Sequence, residues 1–407
     1  MTDLSSAARI RAGMGSQAAR SKPATIAALA GARAVPPLLI VLFHFSEGHH
    51  YSGIRLLDLV ATRGYLWVEF FFALSGFILT HVYGARVREL WTRKGYFGFL
   101  KARLLRLYPL HLFLLLLLLL LVVGARESAM LGGYRSIYDL QYHPMVDAKG
   151  FFLSLFLVQS WNTLNYLTWN GVSWFVSVEF ALCLLFPLLL KAQNGGVWRG
   201  VGLVTAGIAG LLALTAGSAH GLDITYHNGV LRGVADFAVG AGMAVLFRNM
   251  RGGPAWIFSL IQIGLIGAFF YVATHFGWSH TKYDILAVLP MQAMILALAF
   301  DKGVVADLLK LRLPQTLGDW SYAIYLGQTV WLQYLRIAQQ RFYPAPDALV
   351  LGEKFSTLMW WLEPTLLVLV CAVWGGMLAE WVEKPAAKWL RRRLDRPRLG
   401  APASGIT

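Results

Sequence analysis

Stretches of about twenty mostly apolar residues recur from one end of this chain to the other. A helix needs ~20 such residues to cross the hydrocarbon core of a bilayer. Inside that core the backbone amides and carbonyls of a helix must be paired within their own segment. The pattern therefore points to an all-α, polytopic membrane protein. About ten transmembrane helices are expected, at 28–46, 65–83, 106–124, 172–190, 199–217, 229–247, 256–276, 284–301, 318–338 and 357–381. The stretch 151–160 is too short to span and is expected to lie in the interface or to re-enter. No internal repeat is visible, which gives the inverted-repeat plan of transporters no support.

Composition agrees. The chain is 57% hydrophobic and 14% charged, against about 25% charged in an ordinary soluble domain. This excludes a disordered chain and most soluble enzymes. The net charge of +15 would suggest nucleic acid on a soluble protein. Topology accounts for it instead. With the N-terminus inside, the inner segments hold 25 of the 36 Lys and Arg and the outer segments hold nine. Cytoplasmic loops carry such an excess, so both termini are expected to be cytoplasmic and no nucleic-acid partner is expected. The chain divides into a basic N-terminal segment (1–27), a transmembrane domain (28–381) and a basic tail (382–407). The first apolar stretch is interrupted by Arg33, Pro36 and Pro37, so an uncleaved span is expected rather than a signal peptide. Cys183 and Cys371 lie in apolar stretches without ligand spacing. Neither a disulfide framework nor a metal site is expected.

Charged groups at membrane depth are expensive and mark function by default. Arg33 and His44 lie eleven residues apart in the first span. Eleven helical residues turn about 1100° and rise ~16 Å, so both should project from one face at different depths. The two prolines between them can kink that geometry. The structural alternative for His44 is a hydrogen-bonded interhelical histidine. Arg103 and Arg106 share a face at the start of the third span, in FLKARLLRLYP. They suit a phosphate or carboxylate, or simply anchor the span on the positive side. Glu69 and Glu179 sit within the second and fourth spans, where each needs a partner; a structural buried pair is the alternative for both. Asp236, Asp319 and Glu380 are weaker candidates. The remaining histidines, including His49, His50, His143, His220, His227, His275 and His280, have no metal spacing and were given no role. The outer loop 125–171 is rich in Tyr, Trp, His and Asn (Tyr134, Tyr138, Tyr142, His143, Trp161, Asn162, Asn165, Tyr166, Trp169, Asn170). Sugar sites have this composition, but for most of these residues an aromatic belt at the interface is the simpler account.

Several segments, in order, resemble the membrane-bound acyltransferase-3 family. They are ARAVPPLLIVLFHF (32–45), GYLWVEFFFALSGFILT (64–80), FLKARLLRLYPLH (99–111) and VSWFVSVEFALCLLFPLLL (172–190). Weaker matches are LRGVADFAVGAGMAVL (231–246), LGDWSYAIYLGQ (317–328) and VEKPAAKWLRRR (382–393). The family's Arg-x10-His motif falls on Arg33 and His44, and its Arg-x-x-Arg motif on Arg103 and Arg106. Its Ser-Gly-Phe segment falls on Ser75, Gly76 and Phe77, preceded by an acidic position at Glu69. The acidic residue after the Ser-Trp segment is Glu179. Two departures stand out. Relatives often end the Ser-Tyr-x-x-Tyr-Leu motif with Trp-His, where this chain has Gly327-Gln328, and Gln cannot titrate. Some relatives also carry a fused hydrolase-like domain, which this chain is expected to lack.

The resemblance implies an O-acyltransferase of a bacterial inner membrane. Its donor would be acyl-CoA, most often acetyl-CoA, with no permanently bound cofactor. Its acceptor would be a hydroxyl of a surface glycan or a lipid-linked saccharide, as in exopolysaccharide biosynthesis, with membrane lipids and polysaccharide assembly machinery as further partners. The implied roles are His44 as base, Glu179 or Glu69 orienting it, and Ser75 or Ser173 donating to the oxyanion. Arg33, Arg103, Arg106 and Tyr108 would hold acyl-CoA. Trp174, Tyr322 and Gln328 are acceptor-side candidates. An acyl-enzyme route through His44 or a serine stays open. Two other classes also stay open at this point, a transporter or exporter of a glycan-related or anionic solute, and a non-catalytic membrane scaffold.

Overall fold

The computed structural model describes residues 25–46, 62–130, 146–191, 196–276, 281–342 and 353–394. Among them there are helices and turns and no strand. In chain order the helices are α1 (Ala27–Ala32), α2 (Val35–Ser46), α3 (Trp67–Tyr83), α4 (Val87–Leu90), α5 (Arg93–Met130), α6 (Ala148–Leu155), α7 (Trp174–Lys191) and α8 (Val197–Ala216). There follow α9 (Gly229–Asn249), α10 (Ala255–His275), α11 (Asp284–Ala299), α12 (Val304–Leu309), α13 (Arg312–Phe342), α14 (Glu353–Leu378) and α15 (Lys384–Leu394). The protein is a multi-pass membrane protein. Eight segments of the described chain are long and apolar enough to cross a bilayer.

The sequence led us to expect ten spans, and the other two are helices of a different kind. α11 has 16 residues, or ~24 Å, short of a ~30 Å core. α13 has 31 residues and ample length, but Asp319, Ser321, Gln328 and Thr329 dilute its apolar character. The first span also differs. Arg33 and Ala34 form a turn between α1 and α2. Pro36 and Pro37 lack the amides that would bond back to Ala32 and Arg33, so the helix stops and restarts with both prolines in the first turn of α2, where free amides have no intrahelical partner anyway. The short apolar stretch near residue 151 becomes α6, eight residues long. Asp147 caps it, accepting from the Gly150 amide at 2.5 Å. The second carboxylate oxygen of Asp147 accepts from the Tyr166 hydroxyl at 2.5 Å, which pushes that phenol up to about 12. Tyr134, Tyr138, Tyr142, His143, His49, His50 and His280 lie outside the described residues.

α3 is the centre of the bundle. Phe72 and Leu79 belong to one buried cluster with α5, α7 and α13. Phe70, Ala73, Leu74 and Phe77 belong to another with α1, α9 and α11. A helix apolar all round is a buried one, and α3, α7 and α9 each bury 67% of their apolar window inside the protein. α8 and α10 bury 17% and 22% and present their remaining apolar surface outward, as lipid-facing helices do. Helix association in lipid depends on close packing and polar contacts rather than on hydrophobic expulsion. α3 and α9 use both. A Cβ on Gly240 would strike the Ala73 carbonyl, and one on Gly76 would strike the Phe237 carbonyl. Farther along the same helices, the Arg232 guanidinium grips Glu69, with Nη2 at 2.6 Å from Oε2 and Nε at 3.0 Å from both oxygens. The pair is buried, and Arg232 also donates to the carbonyls of Ile224 (2.8 Å) and Tyr65 (3.4 Å).

Two stability results are expected. Gly240→Val should separate α3 from α9 at a cost of roughly 1–3 kcal/mol or more, seen as a lower melting temperature in detergent. Arg232→Met strands the Glu69 carboxylate, which costs about 3–5 kcal/mol. The double variant Glu69→Leu/Arg232→Met should melt well above the single one, because no charge is then left buried alone.

Candidate functional site

Two cavities lie among the buried helices, and most of the sequence candidates line one or the other. The first holds ≈ 250 Å³ and is lined by Arg33 after α1, Ser75 of α3, Arg103 and Arg106 of α5, Glu179 of α7, and Ser321, Tyr322 and Tyr325 of α13. The second holds ≈ 850 Å³ and is lined by His44 of α2, Tyr65, Trp169, Trp174, Tyr226 and Tyr325, with His220, Asp223, His227, Asn228 and Arg232. Tyr325 is common to both. Its hydroxyl donates to the Val172 carbonyl at 2.9 Å. Its ring packs edge-on to Phe175 and Phe71, at 5.4 and 6.3 Å between centroids, and both phenylalanines line the arginine cavity. Three aromatic rings therefore stand where the two spaces approach each other.

The arginine cavity gathers three cations from one helix and an interhelical turn. The break at Pro36 and Pro37 puts Arg33 in that turn, while Arg103 and Arg106 come one turn apart from α5. Two carboxylates offset them. Glu179 accepts from the Ser75 hydroxyl at 2.6 Å through Oε1. Its Oε2, like Ser321 Oγ, is buried with no hydrogen-bond partner among the described residues. Glu383 interacts electrostatically with Arg33 and Arg106. It closes the five-residue π-helical turn Ala379–Glu383 between α14 and α15. Tyr322 is pinned by donating to the Leu107 carbonyl at 2.6 Å. The cavity is thus cation-rich, with Glu179 Oε2, Ser321 Oγ and His81 Nδ1 buried on residues that line it and still able to take a ligand group. An unsatisfied buried polar group costs about 1–3 kcal/mol.

In the histidine cavity His44 is half-buried, and its Nδ1 lies 3.1 Å from Gln328 Oε1. Gln328 is completely buried and donates through Nε2 to the Tyr325 carbonyl at 2.7 Å. The walls are aromatic. Trp169 takes a positive φ of 51° and donates its indole N–H to the Asp147 carbonyl at 2.9 Å. Trp174 receives the Arg232 guanidinium over its ring at 5.2 Å. Charges and ring faces around an open volume of this size suit a small-molecule ligand, whose pockets run about 300–1,000 Å³.

Set against the sequence candidates, the structure brings Arg33, Arg103, Arg106, Ser75, Glu179 and Tyr322 into one cavity. It puts His44 and Trp174 in the other. Arg33 and His44 line different cavities, with the turn between α1 and α2 separating them along the chain. Glu69 lines neither cavity and is held by Arg232. The imidazole of His44 meets an amide, Gln328, where we expected a carboxylate. The Ser75 hydroxyl hydrogen is directed to Glu179. Ser173 lines neither cavity, and its Oγ accepts from Gln159 at 3.1 Å. Tyr108 ties α5 to α6 by donating to the Leu155 carbonyl at 3.0 Å. The sequence reading missed Ser321 and Glu383, and gave His220 and His227 no role. Glu383 lies in the 382–393 match and Ser321 in the 317–328 match, so both segments carried a signal. The two histidines stand in a short loop with no spacing to mark them. Of the loop aromatics, Trp169 lines the cavity, whereas Trp161 donates to the Ser177 carbonyl at 3.0 Å and serves packing.

The comparisons with known proteins point to one family. A family model described as an acyltransferase domain, of the acyltransferase-3 type, matches residues 26–381. Acyltransferase MdmB of Streptomyces mycarofaciens is 27% identical over 404 residues, covering 92% of this chain and 94% of that protein. Protein 2 in the picA locus of Rhizobium radiobacter is 38% identical over 96 residues, covering 24% of this chain and 45% of that protein. No solved structure matches the chain. The matched region takes in all but one of the residues that line the two cavities, and the chain belongs to the acyltransferase-3 family of membrane acyltransferases.

Proposed function

We propose that this acyltransferase moves an acyl group, acetyl by preference, from acyl-CoA to a hydroxyl of a surface glycan or its lipid-linked precursor in a bacterial inner membrane. The observation that carries the reading is the pair of cavities meeting at Tyr325, one rich in arginine and one bearing the histidine. Donor phosphates would approach Arg33, Arg103 and Arg106, which lie on the side the Lys and Arg distribution makes cytoplasmic. At ≈ 250 Å³ the arginine cavity suits the narrow pantetheine arm and not the nucleotide. Glu179 Oε2 can accept from an amide N–H of that arm, and Ser321 Oγ can donate to an amide carbonyl. The thioester then reaches toward Phe71, Phe175 and Tyr325. The acceptor would lie in the histidine cavity, with sugar rings against Trp169 and Trp174. Polysaccharide assembly machinery would supply it.

The chemistry follows. An alcohol is a poor nucleophile at neutral pH. Neutral His44 takes the hydroxyl proton as the oxygen attacks the thioester carbonyl. The carbon–sulfur bond breaks, sulfur leaves with the electron pair, and the imidazolium returns the proton to it. The products are an ester and the CoA thiol.

The deciding test joins a deletion strain to purified protein. Surface glycans should lose ester-linked acetyl on deletion, and only the wild-type gene should restore it. Unchanged acetylation would overturn the glycan acceptor, and no turnover of acetyl-CoA by the folded, purified protein would overturn the donor. In that purified protein His44→Ala should lower transfer about 10²–10⁴-fold. Arg103→Gln and Arg106→Gln should raise the donor KM at least several-fold, with a smaller effect on kcat.

A further inference from the structure

We propose that Gln328 is a positioning residue that fixes the tautomer of His44, making Nε2 the nitrogen that takes the acceptor proton. This rests on the acyl-transfer reading above for its function, but not for its geometry.

The argument is one of donors and acceptors. A backbone carbonyl can only accept. The Tyr325 carbonyl lies 2.7 Å from one end of the Gln328 amide, so that end must be the NH₂ group. The other end, 3.1 Å from His44 Nδ1, is therefore the carbonyl oxygen, which also only accepts. Nδ1 must then carry a hydrogen, and in the neutral ring the lone pair is left on Nε2. Turning the amide over would set oxygen against oxygen at the Tyr325 carbonyl. Among the described residues Nε2 has no hydrogen-bond partner, and His44 lines the larger cavity.

The amide is itself held. Asn170 donates to the Leu326 carbonyl at 3.0 Å and accepts from the Thr329 hydroxyl at 2.8 Å. Tyr325 is tied to Val172. The helical turn carrying Gln328 is thus fastened on both sides of it. The preceding residue is Gly327, where a Cβ would press on Leu378 and Trp374. An amide does here what a carboxylate does beside many catalytic histidines, orienting the ring, but without adding a negative charge. The titratable and charged groups lining the cavity with His44 are Tyr65, His220, Asp223, Tyr226, His227, Arg232 and Tyr325.

The test uses full-length protein in lipid with two readouts. In spectra of protein carrying ¹⁵N-histidine, the His44 signals, assigned by their loss in His44→Ala, should report hydrogen on Nδ1. In Gln328→Leu they should report a mixture of tautomers. In turnover, Gln328→Leu should lower kcat roughly 10–100-fold with donor KM little changed. Gln328→Glu keeps an acceptor oxygen beside Nδ1 but sets its other oxygen against the Tyr325 carbonyl, so it should retain only part of the activity, with its acid limb moved to higher pH because the carboxylate stabilises the imidazolium. Hydrogen on Nε2 in the wild type overturns the proposal. So does a Gln328→Leu variant with wild-type kcat and pH profile. A folded protein that transfers no acyl group defeats the functional reading instead, and the tautomer is still decided by the spectra.

Discussion

A bilayer does not solvate charge, and the interior of this protein is arranged around that refusal. An ionised side chain at membrane depth must find a partner, a hydrogen bond or an aqueous space. Glu69 and Arg232 solve the problem by meeting each other between α3 and α9. Arg33, Arg103 and Arg106 solve it by sharing a cavity with Glu179, while Glu383 interacts with two of them. The same constraint thus yields a structural pair in one place and a polar chamber in another. The difference lies in what is left over: the pair is closed on itself, whereas the chamber holds polar atoms without partners.

In the proposed reading the two cavities would divide the labour of an acyl transfer. One is the smaller and concentrates positive charge. The other is larger, aromatic and equipped with a histidine. On that reading the rings of Tyr325, Phe71 and Phe175 around the meeting point would limit hydrolysis of the thioester, since water excluded from the reacting carbon cannot compete with the acceptor. The framework around them is rigid where it matters. α3 and α9 touch through glycines, Asn170 straps α13 to the neighbouring loop, and Arg232 braces both Glu69 and the ring of Trp174. Holding reacting groups in fixed positions is the largest contribution a scaffold makes to such a reaction.

Gly327 and Gln328 have clear places in this setting. Gly327 lets Trp374 and Leu378 of α14 close against α13. Gln328 lies deep enough to reach both His44 and the Tyr325 carbonyl. The group that meets the imidazole is an amide dipole, which does not titrate.

Much of this was legible in the sequence. Apolar runs of spanning length declared a helical membrane protein, because lipid allows a helix with few charges and little else. The Arg-x10-His and Arg-x-x-Arg spacings, with the Ser-Gly-Phe and Ser-Trp segments, marked the family, the three arginines and Glu179 of one cavity, and His44 of the other. Pro36 and Pro37 announced a disturbance of the first span. Partners were not legible. Glu69 and Glu179 look alike in sequence, each a lone acid in an apolar helix, yet one closes on Arg232 and the other on Ser75. Which carboxylate meets which cation depends on how helices far apart in the chain are set side by side, and hydropathy carries no record of that. Nor could it show that His44 faces an amide 284 residues away. The sequence by itself determined the solvent, the helices and the chemical groups available; only the tertiary structure decided which groups meet, because pairing across a bundle is a matter of helix rotation and depth, and these are set by packing rather than by local composition.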